Sequence, residues 1–377
     1  MEPGELQMLA RMWFPVARVQ DLANGPAQAT LLGRELVVYA GPAGVTVADG
    51  WCPHRGMKLS MGAMVAGQLE CPYHGWRFEA GSGRCVAVPS LPAHLPPTRV
   101  CLKTYRVRIA YGMVWSCLEE PWQEPLRIPE LDGEEWQPVD AADLPHYRFR
   151  DWTIALGATR YVACGIRALS ENFRDMAHFA FVHRRSMGPD VRREVDEYGV
   201  EKDGSTLSYT LSSHPQGVII PEDGRPSIGP SQRGGGSDLK LSNVAYGRTN
   251  VYTIVLPCST YIFSRLPGGG RRLVAQFLAP ASAEEDRVHL FWMVGVNDEA
   301  RRLHGVSVRD AHDFDARVFE EDIPIVENCW PREQPLDTRA QVHTRSDAYS
   351  IAYRRAYRQL LDRFLRESSE LTAQSPG

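Results

Sequence analysis

Hydrophobic and polar positions alternate in short runs through the first third of the chain. Glu35 to Ala40, Val45 to Ala48 and Tyr105 to Val107 carry a two-residue period and are cut off by Gly or Pro, as short antiparallel strands are. The segment from Trp13 to Leu118 therefore reads as a small all-β domain. Val88 to Pro97 is too proline-dense for a helix or an interior strand and reads as an extended connection. A second proline-marked stretch, Pro121 to Pro145, has no clear period. A domain boundary is expected near its start, giving a first domain of residues 1–120 and a second of residues 121–377.

The second domain changes period. A helical stretch is expected from Leu169 to His183. Long β-like runs follow at Ser242 to Phe263, Arg272 to Ala279 and Arg287 to Val296. Two helices, Ser307 to Asn328 and Ser346 to Glu367, close the chain. Helices at both ends of a long antiparallel sheet give an α+β class. Between them Pro221 to Asp238 is poor in apolar residues and rich in Gly and Pro, which reads as a surface loop or a lid over a pocket.

Composition narrows the partners. The 377 residues are 43% hydrophobic and 23% charged, enough for two folded cores. With 42 basic against 46 acidic residues the formal charge is −4, so the chain has no field suited to nucleic acid or anionic lipid. No apolar run reaches the roughly 18–20 residues of a membrane span, and no signal peptide is visible, so a soluble cytoplasmic protein is expected. Eight cysteines are too few for a disulfide scaffold and stand as thiols or metal ligands.

Four of the metal-ligating side chains fall in two tight pairs. Cys52-Pro53-His54 and Cys71-Pro72-Tyr73-His74 are Cys-x-His and Cys-x-x-His, each with an inner Pro and a following Gly that mark a loop tip. Two thiolates and two imidazoles suit a tetrahedral zinc or a [2Fe–2S] cluster with His on one iron. Cys85, Cys101, Cys117, Cys164, Cys258 and Cys329 show no paired spacing and read as structural thiols.

A second cluster runs Glu171-x3-Asp175-x2-His178-x4-His183. Asp175 and His178 share a helix face, but five residues put His178 and His183 about 140° apart on a straight helix. Both can face one centre only if the helix ends or bulges between them. If the two histidines belong to a two-His, one-carboxylate metal site, its carboxylate has to come from elsewhere. In the late acidic stretch Ala311, Phe314, Val318 and Ile325 form one apolar stripe, and Asp322 falls in its gap. Glu320 points away, Glu321 lies well off the stripe, and Asp315 is the second choice.

The paired Cys/His loops resemble the Rieske cluster motif. The run around His178, about a hundred residues on, resembles the iron motif of Rieske non-haem iron oxygenases. Together they cover essentially the whole chain. Met57 and Tyr73 stand where respiratory Rieske loops carry an extra Cys pair, so the likeness is to the oxygenase type. The resemblance implies cluster ligands Cys52, His54, Cys71 and His74, and iron ligands His178, His183 and Asp322. It implies that Asp175 bridges to a cluster His of a neighbouring subunit, with Glu171 supporting it. It also implies a helix-grip catalytic domain and a head-to-tail homotrimer without a β subunit.

Such an enzyme uses O2 and electrons from a separate ferredoxin or flavin reductase, ultimately NAD(P)H. Gly268-Gly269-Gly270 has no strand–turn–helix context that would bind the nucleotide directly. The β-free class favours hydroxylation or demethylation, with cis-dihydroxylation as the alternative. A zinc-stabilised ligand-binding module is a more distant one. Phe173, Met176, Phe179 and Phe181 are the expected pocket walls for a hydrophobic substrate.

Overall fold

A computed structural model describes residues 2–93, 96–133, 136–141, 144–187, 191, 193–212, 249–266, 268–284 and 286–374. It divides into two units, Met1–Asp132 with Ala279–Glu285, and Gly133–Leu278 with Asp286–Gly377.

The first unit holds a short helix, α1 (Glu5–Ala10), and ten strands. These are β1 (Phe14–Arg18), β2 (Ala27–Leu31), β3 (Arg34–Gly41), β4 (Gly44–Asp49), β5 (Ala63–Val65), β6 (Gln68–Glu70), β7 (Arg77–Glu79), β8 (Cys85–Ala87), β9 (Thr104–Ala110) and β10 (Met113–Cys117). The expected strands lie within β3, β4 and β9. Six strands form one antiparallel sheet in the order β1-β10-β9-β4-β3-β2, and β5 to β8 form a small meander. Val37, Tyr39, Leu59, Leu69, Phe78 and Leu102 fill one core, and the side chains of Cys52 and Cys71 are buried in it. The unit runs past the expected limit at residue 120. Ile128 and Leu131 are buried, the Ile128 N–H donates to Tyr111 Oη at 2.9 Å, and Asp132 faces Arg127 at 3.6 Å.

The second unit is built on one antiparallel sheet. Its strands are β11 (Gln137–Val139), β12 (His146–Phe149), β13 (Trp152–Leu156), β14 (Arg160–Val162), β15 (Glu201–Asp203), β16 (Thr206–Ser212), β17 (Thr249–Val255), β18 (Ser259–Arg265), β19 (Arg271–Pro280) and β20 (Val288–Asn297). The order is β11-β12-β13-β20-β19-β18-β17-β16-β15, with β14 paired to β20. The single run expected from Ser242 to Phe263 forms, from Thr249 onward, a pair of strands, β17 and β18, turning at Leu256 to Cys258. Residues 242–248 of that run and the segment Pro221 to Asp238 lie outside the described residues.

Among the described residues six helices accompany the sheet: α2 (Ile166–Asn172), α3 (Phe179–Val182), α4 (Arg184–Met187), α5 (Asp298–His304), α6 (Val308–Glu327) and α7 (Ala348–Gln374). The expected helix from Leu169 to His183 is thus broken. α2 ends at Asn172, and one helical turn, α3, follows six residues later. α6 matches its expected span. Ser307 caps it, accepting from the Asp310 N–H while the Asp310 carboxylate returns a bond to the Ser307 N–H at 2.9 Å. Its buried side is Val308, Ala311, Asp315, Phe319, Asp322 and Val326. Ile325, expected on the apolar stripe, is 45% exposed. The buried stripe passes through Phe319 and Val326 instead.

α7 lays Tyr349, Tyr353, Tyr357, Leu360 and Phe364 into the core, with Tyr353 Oη donating to the Pro257 carbonyl at 2.8 Å. It is pinned to α2 by a buried ion pair in which Arg354 donates to both Glu171 oxygens, at 2.7 and 2.8 Å. Removing one member of such a pair strands the other charge in the core, at a cost of about 3–5 kcal/mol. Glu171→Ala is therefore expected to lower the denaturation midpoint sharply. Glu171→Leu combined with Arg354→Met should recover most of the loss, and chemical denaturation of the three proteins tests this.

Candidate metal centres

The two Cys/His loops are built alike. In the first, the Cys52 N–H donates to the Met57 carbonyl at 2.8 Å and the Gly56 N–H returns to the Cys52 carbonyl at 2.9 Å. In the second, Cys71 donates to Trp76 at 2.8 Å and Gly75 to Cys71 at 3.0 Å. Gly56 and Gly75 have φ of 66° and 69°, the left-handed region where a side chain would be strained. That is why a Gly closely follows each His.

The turns bury both cysteines and bring the imidazoles together near the surface. The His54 and His74 rings lie 4.6 Å apart, and His54 stacks on Trp76 at 4.4 Å. Burial, with Cys71 adjacent, pushes the Cys52 thiol up to about 11 despite the backbone N–H of His54. A thiolate here thus calls for metal charge. His54 Nδ1 is buried without a hydrogen-bond partner. Two inward sulfurs, two outward imidazoles and an unpartnered ring nitrogen fit a two-iron, two-sulfur cluster with its His-ligated iron outermost.

The second centre assembles around α3. His178 precedes this single helical turn and His183 ends it, so the chain folds back and the two Nε2 atoms stand 3.0 Å apart. The backbone distortion therefore falls before His178 and at His183, rather than between them. Asp322 Oδ1 on α6 lies 3.4 Å from His178 Nε2 and 3.2 Å from His183 Nε2. The three ligand atoms lie within 4.8 Å of one another, and Asp322 Oδ1 is buried with no hydrogen-bond partner.

Both tautomers are fixed from behind. His178 Nδ1 faces Asp175 Oδ2 at 3.1 Å, and His183 Nδ1 faces Glu321 Oε2 at 2.9 Å. A carboxylate accepts only, so each Nδ1 carries the proton and each Nε2 is left as a lone pair. Two lone pairs and a carboxylate oxygen then converge on one buried point, which demands a cation. With metal–ligand bonds of about 2.1 Å, separations of 3.0–3.4 Å would subtend about 91–108°, so the three atoms could bind one cation from the same side. A proton answers the same demand: burial pulls the His178 imidazole down, but the Asp175 and Asp322 carboxylates beside it outweigh that and lift it to about 9.

Asp175 is itself held by the backbone. Its oxygens accept from the Ala177 N–H at 2.8 Å and the His178 N–H at 3.2 Å. Glu171 does not share this work, since both its oxygens are taken by Arg354. Asp315, the second choice for the iron carboxylate, instead pairs with Arg272 on β19. Glu321, set aside on helical phase, is the residue that sequence reasoning missed. Its Oε2 also accepts from Ser186 Oγ at 2.7 Å, so it ties α4 to the His183 ring. Its only sequence signal is adjacency to Asp322.

The pocket beside this centre is lined by Phe173 and Phe179 together with Phe314, Val318 and Phe319 of α6. Met176 is not among the lining residues, and Phe181 is 57% exposed, facing away on the outer side of α3. The sheet contributes polar as well as apolar side chains to this wall.

Residues 12–106 match the Rieske [2Fe-2S] domain, and residues 162–363 match the vanillate O-demethylase oxygenase C-terminal domain. The chain belongs to the Rieske oxygenases whose catalytic domain is of this vanillate O-demethylase type. It is 25% identical over 370 residues to the methylxanthine N1-demethylase NdmA of Pseudomonas putida, covering 94% of this chain and 90% of the relative. It is 25% identical over 374 residues to the vanillate O-demethylase oxygenase subunit of Pseudomonas sp. (strain HR199 / DSM 7063), covering 95% of each. The solved structure of dicamba monooxygenase bound to dicamba shares the fold at a TM-score of 0.67 and 19% identity, covering 95% of this chain and 99% of that one.

The protein is thus a Rieske-type oxygenase, an oxidoreductase with a [2Fe–2S] domain and an oxygenase domain whose His178, His183 and Asp322 can hold an iron. Reading it as a zinc-stabilised binding module is set aside, because the oxygenase domain match takes in the whole His178, His183 and Asp322 centre. No helix among the described residues is long and apolar enough to cross a membrane.

Residues that orient metal-binding imidazoles are worth 10–100-fold in metal affinity. Glu321→Ala is expected to cost about that factor in Fe(II) affinity, measured by competition with a chelator. Asp322→Ala should abolish binding at this centre. The visible absorption of the cluster should be unchanged in both.

Proposed function

We propose that this chain is the terminal oxygenase of an oxidative demethylase, acting on an O-methyl or N-methyl group of a small ring substrate. Cys52, His54, Cys71 and His74 hold the cluster, and His178, His183 and Asp322 hold the iron. The observation that carries the reading is the convergence of two imidazole Nε2 atoms and one carboxylate oxygen on a single buried point, beside a partly apolar pocket. Three ligands on one face leave positions for O2 on the other. When bound, the iron supplies the O2-activating chemistry and the cluster supplies electrons one at a time.

The chain's own residues prepare that chemistry. Asp175 and Glu321 keep the proton on Nδ1 of each His, so that Nε2 stays available. Phe173, Phe179 and Phe319 exclude water around the reacting carbon. The balance is one methyl group, O2, two electrons and two protons giving the demethylated product, formaldehyde and water. Both demethylase relatives, which span nearly the whole chain, support this over cis-dihydroxylation.

We also propose a homotrimer, in which the cluster of one subunit serves the iron of the next, with Asp175 bridging His178 to a cluster imidazole of that neighbour. Exposed His74, Tyr73 and Trp51 around the cluster loops, and exposed Trp330 and Val342, are surfaces suited to partners.

NADH-driven turnover with a surrogate reductase should release formaldehyde in step with O2 uptake from a methyl-ether or N-methyl panel. A dihydroxylated ring without formaldehyde would refute demethylation. Asp175→Asn should keep both metals and lose most turnover. The trimer is tested by co-expressing Cys71→Ser with Asp322→Ala. Transfer between subunits should restore about a quarter of the parental activity by random mixing, and transfer within a subunit would restore none.

A further inference from the structure

The strands facing the iron centre form a lattice whose rows are set by register. Asn250 on β17 pairs with Ser264 on β18, and Ser264 with Arg272 on β19. Two residues along lies the row Tyr252, Ile262 and Val274, and beyond it Ile254, Thr260 and Gln276. Successive rows are about 6.7 Å apart. The Gln276 row belongs to the iron end, because Arg174, next to Asp175, donates to both Thr260 Oγ1 and Gln276 Oε1. The Asn250 row belongs to the far end. There Arg272 pairs with Asp315, two helical turns or about 10 Å before Asp322 on α6.

The far row is polar, buried and incompletely partnered. Arg272 is 6% exposed, and its Nε–H is buried with no hydrogen-bond partner. Ser264 Oγ donates to Asn250 Oδ1 at 2.7 Å, which turns the amide nitrogen outward, where it reaches Tyr252 Oη only at 3.4 Å. All these side chains line the pocket that contains His178, His183 and Asp322. Among the described residues, the row therefore offers Arg272 Nε–H a place at the pocket wall but no acceptor. A buried, unmade hydrogen bond is costly, so the bound ligand is the group that completes it.

Charge decides which acceptor. Asp315, itself buried, already balances the Arg272 guanidinium. A substrate carboxylate set against Arg272 would also face the buried Asp315 carboxylate, whereas a carbonyl oxygen accepts both bonds without bringing two like charges together. Resting on the demethylase reading, we infer that the substrate is a methylated ring bearing a neutral carbonyl about one ring's length from the methyl group. Arg272 and Asn250 hold that carbonyl, and the Tyr252–Ile262–Val274 row packs beneath the ring. This departs from a purely hydrophobic substrate.

The test is anaerobic binding calorimetry on the iron-loaded holoenzyme with three matched methyl ethers: 4-methoxyacetophenone, 4-methoxybenzoate and 1-ethyl-4-methoxybenzene. The ketone should bind about tenfold or more tightly than either other compound. Arg272→Met with Asp315→Leu, which removes both members of the ion pair, should reduce that preference to about twofold with iron content unchanged. If the double variant does not hold iron, Asn250→Leu decides by the same criterion. Equal binding by the parent, tighter binding of the benzoate, or an undiminished preference in the variant would overturn the assignment. Because no turnover is involved, a clear ketone preference without formaldehyde release in the aerobic assay would sink the demethylase reading and leave this one standing.

Discussion

Three electron pairs aimed at one buried point are the constraint around which the catalytic unit is arranged. Left alone, His178 Nε2, His183 Nε2 and Asp322 Oδ1 would repel one another at 3.0–3.4 Å. The fold holds them there because each is fixed by something else. Asp175 and Glu321 fix the ring tautomers, and α6 fixes Asp322 through the buried side it shares with Phe319 and Val326. The arrangement is strained until a cation arrives, so metal binding and local stability are coupled.

Local structure follows from this requirement. The chain leaves helical geometry after Asn172, re-enters it for one turn after His178 and leaves it again at His183, whose backbone has φ −94° and ψ 26°, and across that turn the two Nε2 atoms stand 3.0 Å apart. The Asp175 carboxylate then serves two ends, satisfying the backbone N–H groups of Ala177 and His178 freed by the break and accepting from the His178 ring. Glu171, three residues before Arg174, faces the other way, and its work is structural, fastening α2 to α7.

Most of the chemistry was legible in the residues because metal ligands must come in fixed types at short spacings. Motif and helical phase sufficed to single out the two Cys/His loops and the three side chains that converge beside α3. What was not legible depends on where a side chain points in three dimensions. Glu321 and Asp322 are neighbours in sequence, yet one faces the metal point and the other a ligand's rear. Phase along an ideal helix favoured only one of them. Phe181 looked like pocket wall because aromatic residues crowd that segment, but a four-residue turn has an outer side and Phe181 occupies it. The polar row of β17, β18 and β19 was hidden for a related reason. Asn250, Ser264 and Arg272 lie far apart in sequence and meet only through strand register.

The sheet and the helical elements divide the labour in a way that bears on how such a protein diverges. The convergent His and Asp side chains stand on α3 and α6. The proposed recognition row stands on sheet side chains whose backbone bonds do not depend on their identity. Descendants of one ancestor can therefore acquire new appetites by swapping single lattice points, while inheriting the oxidising apparatus intact.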